Sequence, residues 1–232
     1  MKILAFDTET TGLPKWVRRG GRNMKVWPLL VQIAWILYDV EKQKVIAIAN
    51  HIIRLPKGEV IPEKSIRFHG ITNKMMCDKG VPIHDVFGKF HIHLDKADYI
   101  VAHNIDFDVN VLKEEFTRNG FINLFNIVSQ STHYCTMKNG TKLCNILRPS
   151  PTSGDFVQKW PTLNELHQHL FHMSFDNLHN AYNDVLVCFR CFFKMVYDED
   201  ILTLNKKFHK MFHKTLESSV QISDVSVGNS ER

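Results

Sequence analysis

An apolar run, Ile3-Leu4-Ala5-Phe6, ends in Asp7-Thr8-Glu9, and this junction limits the possible folds more than any other segment. The run demands burial, whereas the acids that follow demand water or a cation. Side chains alternate along a strand, so Asp7 and Glu9 leave the same face. The end of a buried strand is therefore expected at the rim of a cleft. Two carboxylates on one face suit a hard cation that prefers oxygen ligands; alone, the same pair would equally serve to solvate a strand end.

Two further runs rich in Ile, Val and aromatic residues, Leu29 to Val40 and Lys44 to Leu55, predict an antiparallel meander with the first strand, Lys2 to Glu9. Between the first two strands lies Lys15-Trp16-Val17-Arg18-Arg19-Gly20-Gly21-Arg22-Asn23, expected to be a loop. Arg18, Arg19, Arg22 and Lys25, interleaved with Trp16 and Trp27, suit a nucleic-acid backbone and equally suit a solvated charged loop.

Apolar spacing predicts a helix over Pro82 to Ala97, a buried strand at Tyr99 to Ala102 and a helix from Phe107 to Asn119 stopped at Gly120. Residues 121–159 are the least legible, with Pro149, Pro151 and Gly154 expected in a loop. Further helices are expected at Thr162 to Phe171, Asn180 to Tyr197 and Lys206 to Leu216. Strands followed by alternating helices and strands predict an α/β fold with a mixed sheet. One domain over 1–200, a helix within 201–216 and a disordered Ser-rich tail over 217–232 are the expected organisation.

Composition narrows the class without choosing a function. With 232 residues, 44% hydrophobic and 23% charged, the chain can bury a full core. A formal charge of +5 is compatible with a polyanionic partner but does not require one. Five irregularly spaced cysteines are expected to be thiols in a reducing compartment. The strand beginning at Lys2 leaves no room for a signal peptide, and the apolar runs are too short to cross a bilayer. An intracellular protein of cytoplasm or nucleus is expected, in which the sequon Asn139-Gly140-Thr141 is idle.

A second acidic segment, Ala102-His103-Asn104-Ile105-Asp106-Phe107-Asp108, lies where a strand ends and a helix begins. Helix N-termini are electropositive and favour carboxylates and phosphates, although Asp106 or Asp108 would also serve as a simple cap. The third segment, His179-Asn180-Ala181-Tyr182-Asn183-Asp184, opens the last strong helix. A histidine there is suited to general-base work because its ordinary pKa lies near neutrality.

In order and spacing the three segments resemble the DEDDh branch of the exonuclease superfamily, whose pattern is D-x-E, then H-N-A-x-F-D, then H-x-A-x-x-D. The likeness runs from about Met1 to Tyr197 and extends to Phe68-His69-Gly70-Ile71-Thr72 and Trp160-Pro161-Thr162-Leu163-Asn164-Glu165-Leu166. It implies a ribonuclease H-like mixed five-stranded sheet flanked by helices. It also implies 3′→5′ hydrolysis of nucleic acid, DNA favoured, to nucleoside 5′-monophosphates. By resemblance, Asp7, Glu9, Asp108 and Asp184 would hold two divalent cations, Mg²⁺ or Mn²⁺, and His179 would be the general base. Asp108 is preferred over Asp106 because Phe107 matches the phenylalanine before the family acid.

Thr10, Leu13, His103, Asn104 and Phe107 would contact the terminal nucleotides of a single-stranded 3′ end, and a DNA polymerase or replication partner is expected. The family includes proofreading subunits of bacterial DNA polymerase III as well as free-standing repair and RNA-trimming enzymes. A non-catalytic nucleic-acid-binding module on the same fold is the competing class. Ile105 and Cys135-Thr136 depart from the family pattern outside the implied catalytic set. The Cys188-Phe189-Arg190-Cys191 spacing, the His209 and His213 pair, and His167, His169 and His172 are expected to be structural or surface residues.

Overall fold

The computed structural model describes residues 1–152, 154–175 and 178–223, apart from the side chains of Arg19 and 216–223. Strand β1 (Lys2–Thr10) is followed by a short ribbon of β2 (Lys15–Arg19) and β3 (Arg22–Val26), then by β4 (Leu30–Asp39) and β5 (Lys44–Ile52). Helices α1 (Glu63–His69), α2 (Asn73–Lys79) and α3 (Ile83–Leu94) lead into β6 (Tyr99–Ala102) and α4 (Ile105–Arg118). Next come α5 (Ile122–Gln130), β7 (Thr132–Cys135), α6 (Thr136–Cys144) and a second small ribbon, β8 (Leu147–Pro149) with β9 (Phe156–Gln158). The chain continues through α7 (Leu163–Phe171), α8 (Ala181–Tyr197), α9 (Ile201–Leu204) and α10 (Lys206–Ser223).

The main sheet has five strands in the order β5-β4-β1-β6-β7, the mixed sheet that was expected. β1 pairs antiparallel with β4 and parallel with β6, which places it at the centre. Ile3 and Ala5 pack with Val185 and Phe189 of α8 on one face. Leu4 and Phe6 pack with Phe90 of α3 and Leu112 of α4 on the other. Helices thus cover both faces, and this is why β1 reads as an unbroken apolar run. The alternation decides what happens at its end: Asp7 and Glu9 continue the α8 side, and Thr8 continues the α4 side.

Three sequence expectations need correction. The Arg-rich stretch is a β-ribbon, with Arg19 paired to Arg22 across Gly20-Gly21. The two glycines have φ of 55 and 77°, the left-handed pair that a tight hairpin turn requires. Helix α4 starts at Ile105, two residues earlier than expected, because Asn104 absorbs the entry turn at φ 65° and ψ 45°. Helix α10 continues to Ser223, past Glu217 where a tail was expected to begin; residues 224–232 of that expected tail lie outside the described residues. No described helix is long and apolar enough to cross a membrane.

Candidate active site

Carboxylate oxygens of Asp7, Glu9 and Asp184 lie within 4.8 Å of one another, the only such cluster among the described residues. The first two come from the end of β1, and Asp184 from the first turn of α8. Asp108 reaches the same cleft from α4. Its Oδ1 accepts the Thr8 hydroxyl at 2.7 Å and the Thr8 backbone N–H at 3.1 Å. The residue between the two β1 acids therefore fixes the acid on the opposite side of the strand. Asp106, the alternative in that motif, is exposed and paired with Lys138. Helix phase thus turns Asp108 toward the cleft and Asp106 away from it.

Packing these carboxylates together without a cation shifts their protonation. Burial, then the charges of Asp108, Asp184 and Glu9, push Asp7 well above the ordinary range. Burial followed by the charges of Asp184 and Asp108 raises Glu9 to about 8. Asp184 is raised to about 7, chiefly by burial, against the opposing pull of the His179 N–H. Asp108 also reaches about 7 through burial, even though the Thr8 hydrogen bonds oppose the shift. A donor set made only of oxygen fits a hard divalent cation, and such an ion would relieve the repulsion.

The third motif is held by an unexpected residue. Gln32, interrupting the apolar β4 run, is buried, and its Oε1 accepts the Ala181 backbone N–H at 3.1 Å. Its amide also donates to Asn50 Oδ1 at 2.8 Å. Asn180 caps α8 by accepting from the Tyr182 N–H. His179 precedes the cap in a left-handed conformation, φ 76°, and its N–H donates to both Asp184 oxygens, at 3.1 and 3.2 Å. Its ring stacks on Phe68 of α1 with centroids 4.1 Å apart. Partial burial lowers the imidazole pKa, which favours the neutral form.

These groups line a cleft of about 570 Å³. Every residue singled out for the site from sequence lines it: the four acids, His179, Thr10, Leu13, His103, Asn104 and Phe107. Their capacities differ. Leu13 is 72% exposed at the rim and Asn104 has no side-chain capping bond, so both are free to meet a ligand. The Thr10 hydroxyl instead donates to the Gly12 carbonyl. His103 is anchored at both nitrogens. Its Nε2 donates to the Pro161 carbonyl at 3.0 Å, so Nδ1 accepts the Thr136 hydroxyl at 3.0 Å. Burial lowers its pKa to about 4, and only its carbon edge and face remain for a ligand.

Sequence reasoning did not assign Lys15, Lys64, Ser65 or Phe68 to the cleft, yet all line it. The three from α1 carried no signal beyond lying in or near the Phe68-to-Thr72 segment. Of the other histidines and cysteines singled out from sequence, His167, Cys188 and Cys191 have structural placements. His167 is buried, donates to the Met173 carbonyl and accepts from Arg190, which pairs with Asp200. Cys188 and Cys191 are buried in the α8 core, and the His209 and His213 rings face each other on α10 at 4.2 Å.

A family model described as "Exonuclease" (RNase_T) matches residues 4–192. DNA polymerase III subunit epsilon of Buchnera aphidicola subsp. Acyrthosiphon pisum (strain APS) is 25% identical over 180 residues, 75% of this chain and 68% of the relative. Among solved structures, exonuclease X in complex with 5′ overhanging duplex DNA matches with a TM-score of 0.52 and 21% identity, over 85% of this chain and 92% of that one. The zinc-bound E. coli ExoI–ssDNA complex matches with a TM-score of 0.61 and 18% identity, over 92% of this chain. This chain spans only 42% of the ExoI chain. These structural likenesses establish the ribonuclease H-like fold.

Proposed function

Because this chain belongs to the exonuclease family, we propose that it is a 3′→5′ exonuclease hydrolysing nucleic-acid phosphodiesters, DNA in preference to RNA, to nucleoside 5′-monophosphates. Asp7, Glu9, Asp108 and Asp184 would hold two divalent cations, Mg²⁺ or Mn²⁺. His179 would be the general base. The observation that carries the reading is the convergence of acids from β1, α4 and α8 at one end of the sheet, beside an exposed imidazole.

When bound, paired divalent ions supply charge neutralisation at the scissile phosphate and lower the cost of ionising water. The chain's own groups do the remainder. His179, neutral and stacked on Phe68, takes a proton from the attacking water on an imidazole nitrogen. Its backbone N–H keeps Asp184 pointed at the same locus. Leu13 at the rim and Phe107 in the wall offer apolar surfaces to the terminal bases, a sequence-tolerant way to hold a single strand. Thr10, His103 and Asn104 complete the walls around the terminal nucleotide.

DNA is preferred on the strength of the DNA-bound exonuclease X and ExoI structures and the likeness to a polymerase subunit. A DNA polymerase partner is proposed on that last likeness alone. Incubating the protein with Mn²⁺ or Mg²⁺ and 5′-labelled single-stranded DNA and RNA tests the reading. A ladder shortening from the 3′ end, faster on DNA, is expected. Intact strands in both metals would remove the enzyme and leave a binding module; faster loss of RNA would make the protein an exoribonuclease.

A further inference from the structure

Between β1 and β4 the chain leaves the main sheet and forms the β2–β3 ribbon, whose base is the cleft rim itself: Leu13, Pro14 and Lys15 line the cleft. From Lys15 to Trp27 the sequence contains Lys15, Arg18, Arg19, Arg22 and Lys25 and no acid. Residues opposite each other in an antiparallel pair share a face. The register pairs Trp16 with Lys25 and Arg18 with Asn23, so Trp16, Arg18 and Lys25 lie together on one side. Val17 pairs with Met24, Lys15 with Val26 and Arg19 with Arg22, and these pairs belong to the other side, so both faces carry positive charge and only the first carries the exposed indole.

The side that carries Trp16 does not stop at the ribbon. Lys25 Nζ sits 4.5 Å from the centre of the Trp27 ring, and Trp27 lies 5.9 Å from Phe107, a wall of the cleft. A continuous track runs from Trp16 and Arg18 through Lys25 and Trp27 to Phe107. Trp16 is 72% exposed, a large apolar surface with no partner in the core.

We propose that this face of the β2–β3 ribbon is a binding arm for a single strand of nucleic acid entering the cleft, contacting nucleotides upstream of the reacting terminus. Arg18 and Lys25 neutralise phosphates, and Trp16 stacks on a base. Alternation of cations with aromatic rings is the chemistry by which single strands are held without regard to sequence. Charge complementarity and continuity with the cleft select this occupant over an apolar protein segment. The inference rests on the nuclease reading for its direction, while the binding it asserts is measured separately.

The test is fluorescence anisotropy of a labelled single strand with the full chain in Ca²⁺, across a salt series, for wild type, Trp16→Ala, Arg18→Ala/Lys25→Ala and Met24→Ala. Trp16→Ala should weaken binding about fivefold or more. The double variant should flatten the slope of log affinity against log salt by about 1.4, at roughly 0.7 per phosphate contact on a single strand. Met24→Ala, on the opposite face, should leave both unchanged. Cleavage of a dinucleotide and of a long strand by wild type is measured alongside, with the long strand expected to be the better substrate.

If wild type cleaves both while Trp16→Ala and the double variant bind the long strand as wild type does, the arm is wrong and the nuclease reading survives. If the variants lose affinity but wild type cleaves neither substrate, the arm stands and the nuclease reading falls. Equal losses for Trp16→Ala and Met24→Ala would overturn the arm as described.

Discussion

The ring of His179 rests on the ring of Phe68, with centroids 4.1 Å apart and planes inclined by 43°. Phe68 is itself 61% exposed, so its contribution to core stability is small and its contact is with the imidazole. Replacing it should therefore act on the chemistry. Phe68→Ala is expected to lower kcat by about tenfold to a hundredfold through loss of imidazole orientation, with Mn²⁺ affinity unchanged. Phe68→Tyr should restore most of the rate. Steady-state kinetics with metal titration check this, and a normal kcat in the alanine variant would remove the positioning role.

His179 must be replaced with attention to its backbone. Its φ of 76° is a left-handed conformation that asparagine tolerates better than most residues. His179→Asn keeps the N–H that orients Asp184, and should slow cleavage by roughly 10²–10⁴ while metal binding persists. Single-turnover rates together with calorimetric metal titration separate the two effects. A simultaneous loss of metal binding would mean that the imidazole is a ligand.

Gln32 joins β4 to the N-terminus of α8. Gln32→Leu fills the same volume but leaves the Ala181 N–H without its partner, which should cost about 1–3 kcal/mol. Chemical denaturation measures that loss. Because Asp184 and His179 ride on this junction, activity should fall by more than the folded fraction does.

The raised carboxylates make stability depend on pH with a definite sign. Glu9 ordinarily titrates near 4.5 and is held at about 8 in the fold, mainly by burial and then by its acidic neighbours. Between those values the folded protein binds more protons than the unfolded chain, so stability without metal falls as pH rises through that window. Asp108 and Asp184, raised to about 7, act in the same direction. Thermal melts in EDTA should show Tm declining from pH 5 toward 8. Adding Mn²⁺ should recover more at the alkaline end, and a Tm that rises with pH in EDTA would contradict the arrangement.

Much of this was legible because the chemistry sits at element boundaries. Alternation along β1 put Asp7 and Glu9 on one side, and the expected helix start at Asn180 lies next to the observed start of α8 at Ala181. Other parts depended on distant contacts that no local pattern encodes. Gln32 interrupts an apolar strand for no local reason, and only its proximity to Ala181 explains it. His103 lines the cleft as expected, but that Thr136 and Pro161 engage both its nitrogens, leaving its carbon edge and face, depends on such contacts. The ribbon did have a local signal, Gly20-Gly21 between pairing residues, that was outweighed by its density of arginine. Phe68 belonged to a recognised segment without a role until α1 placed it on His179.

Anomalous diffraction from crystals grown with Mn²⁺ tests most directly whether the acids form a metal centre. Two peaks are expected about 3.5–4 Å apart, bounded by Asp7, Glu9, Asp108 and Asp184, with both lost in Asp7→Ala. Crystals saturated with Mn²⁺ that show no anomalous density among these four carboxylates would contradict the account.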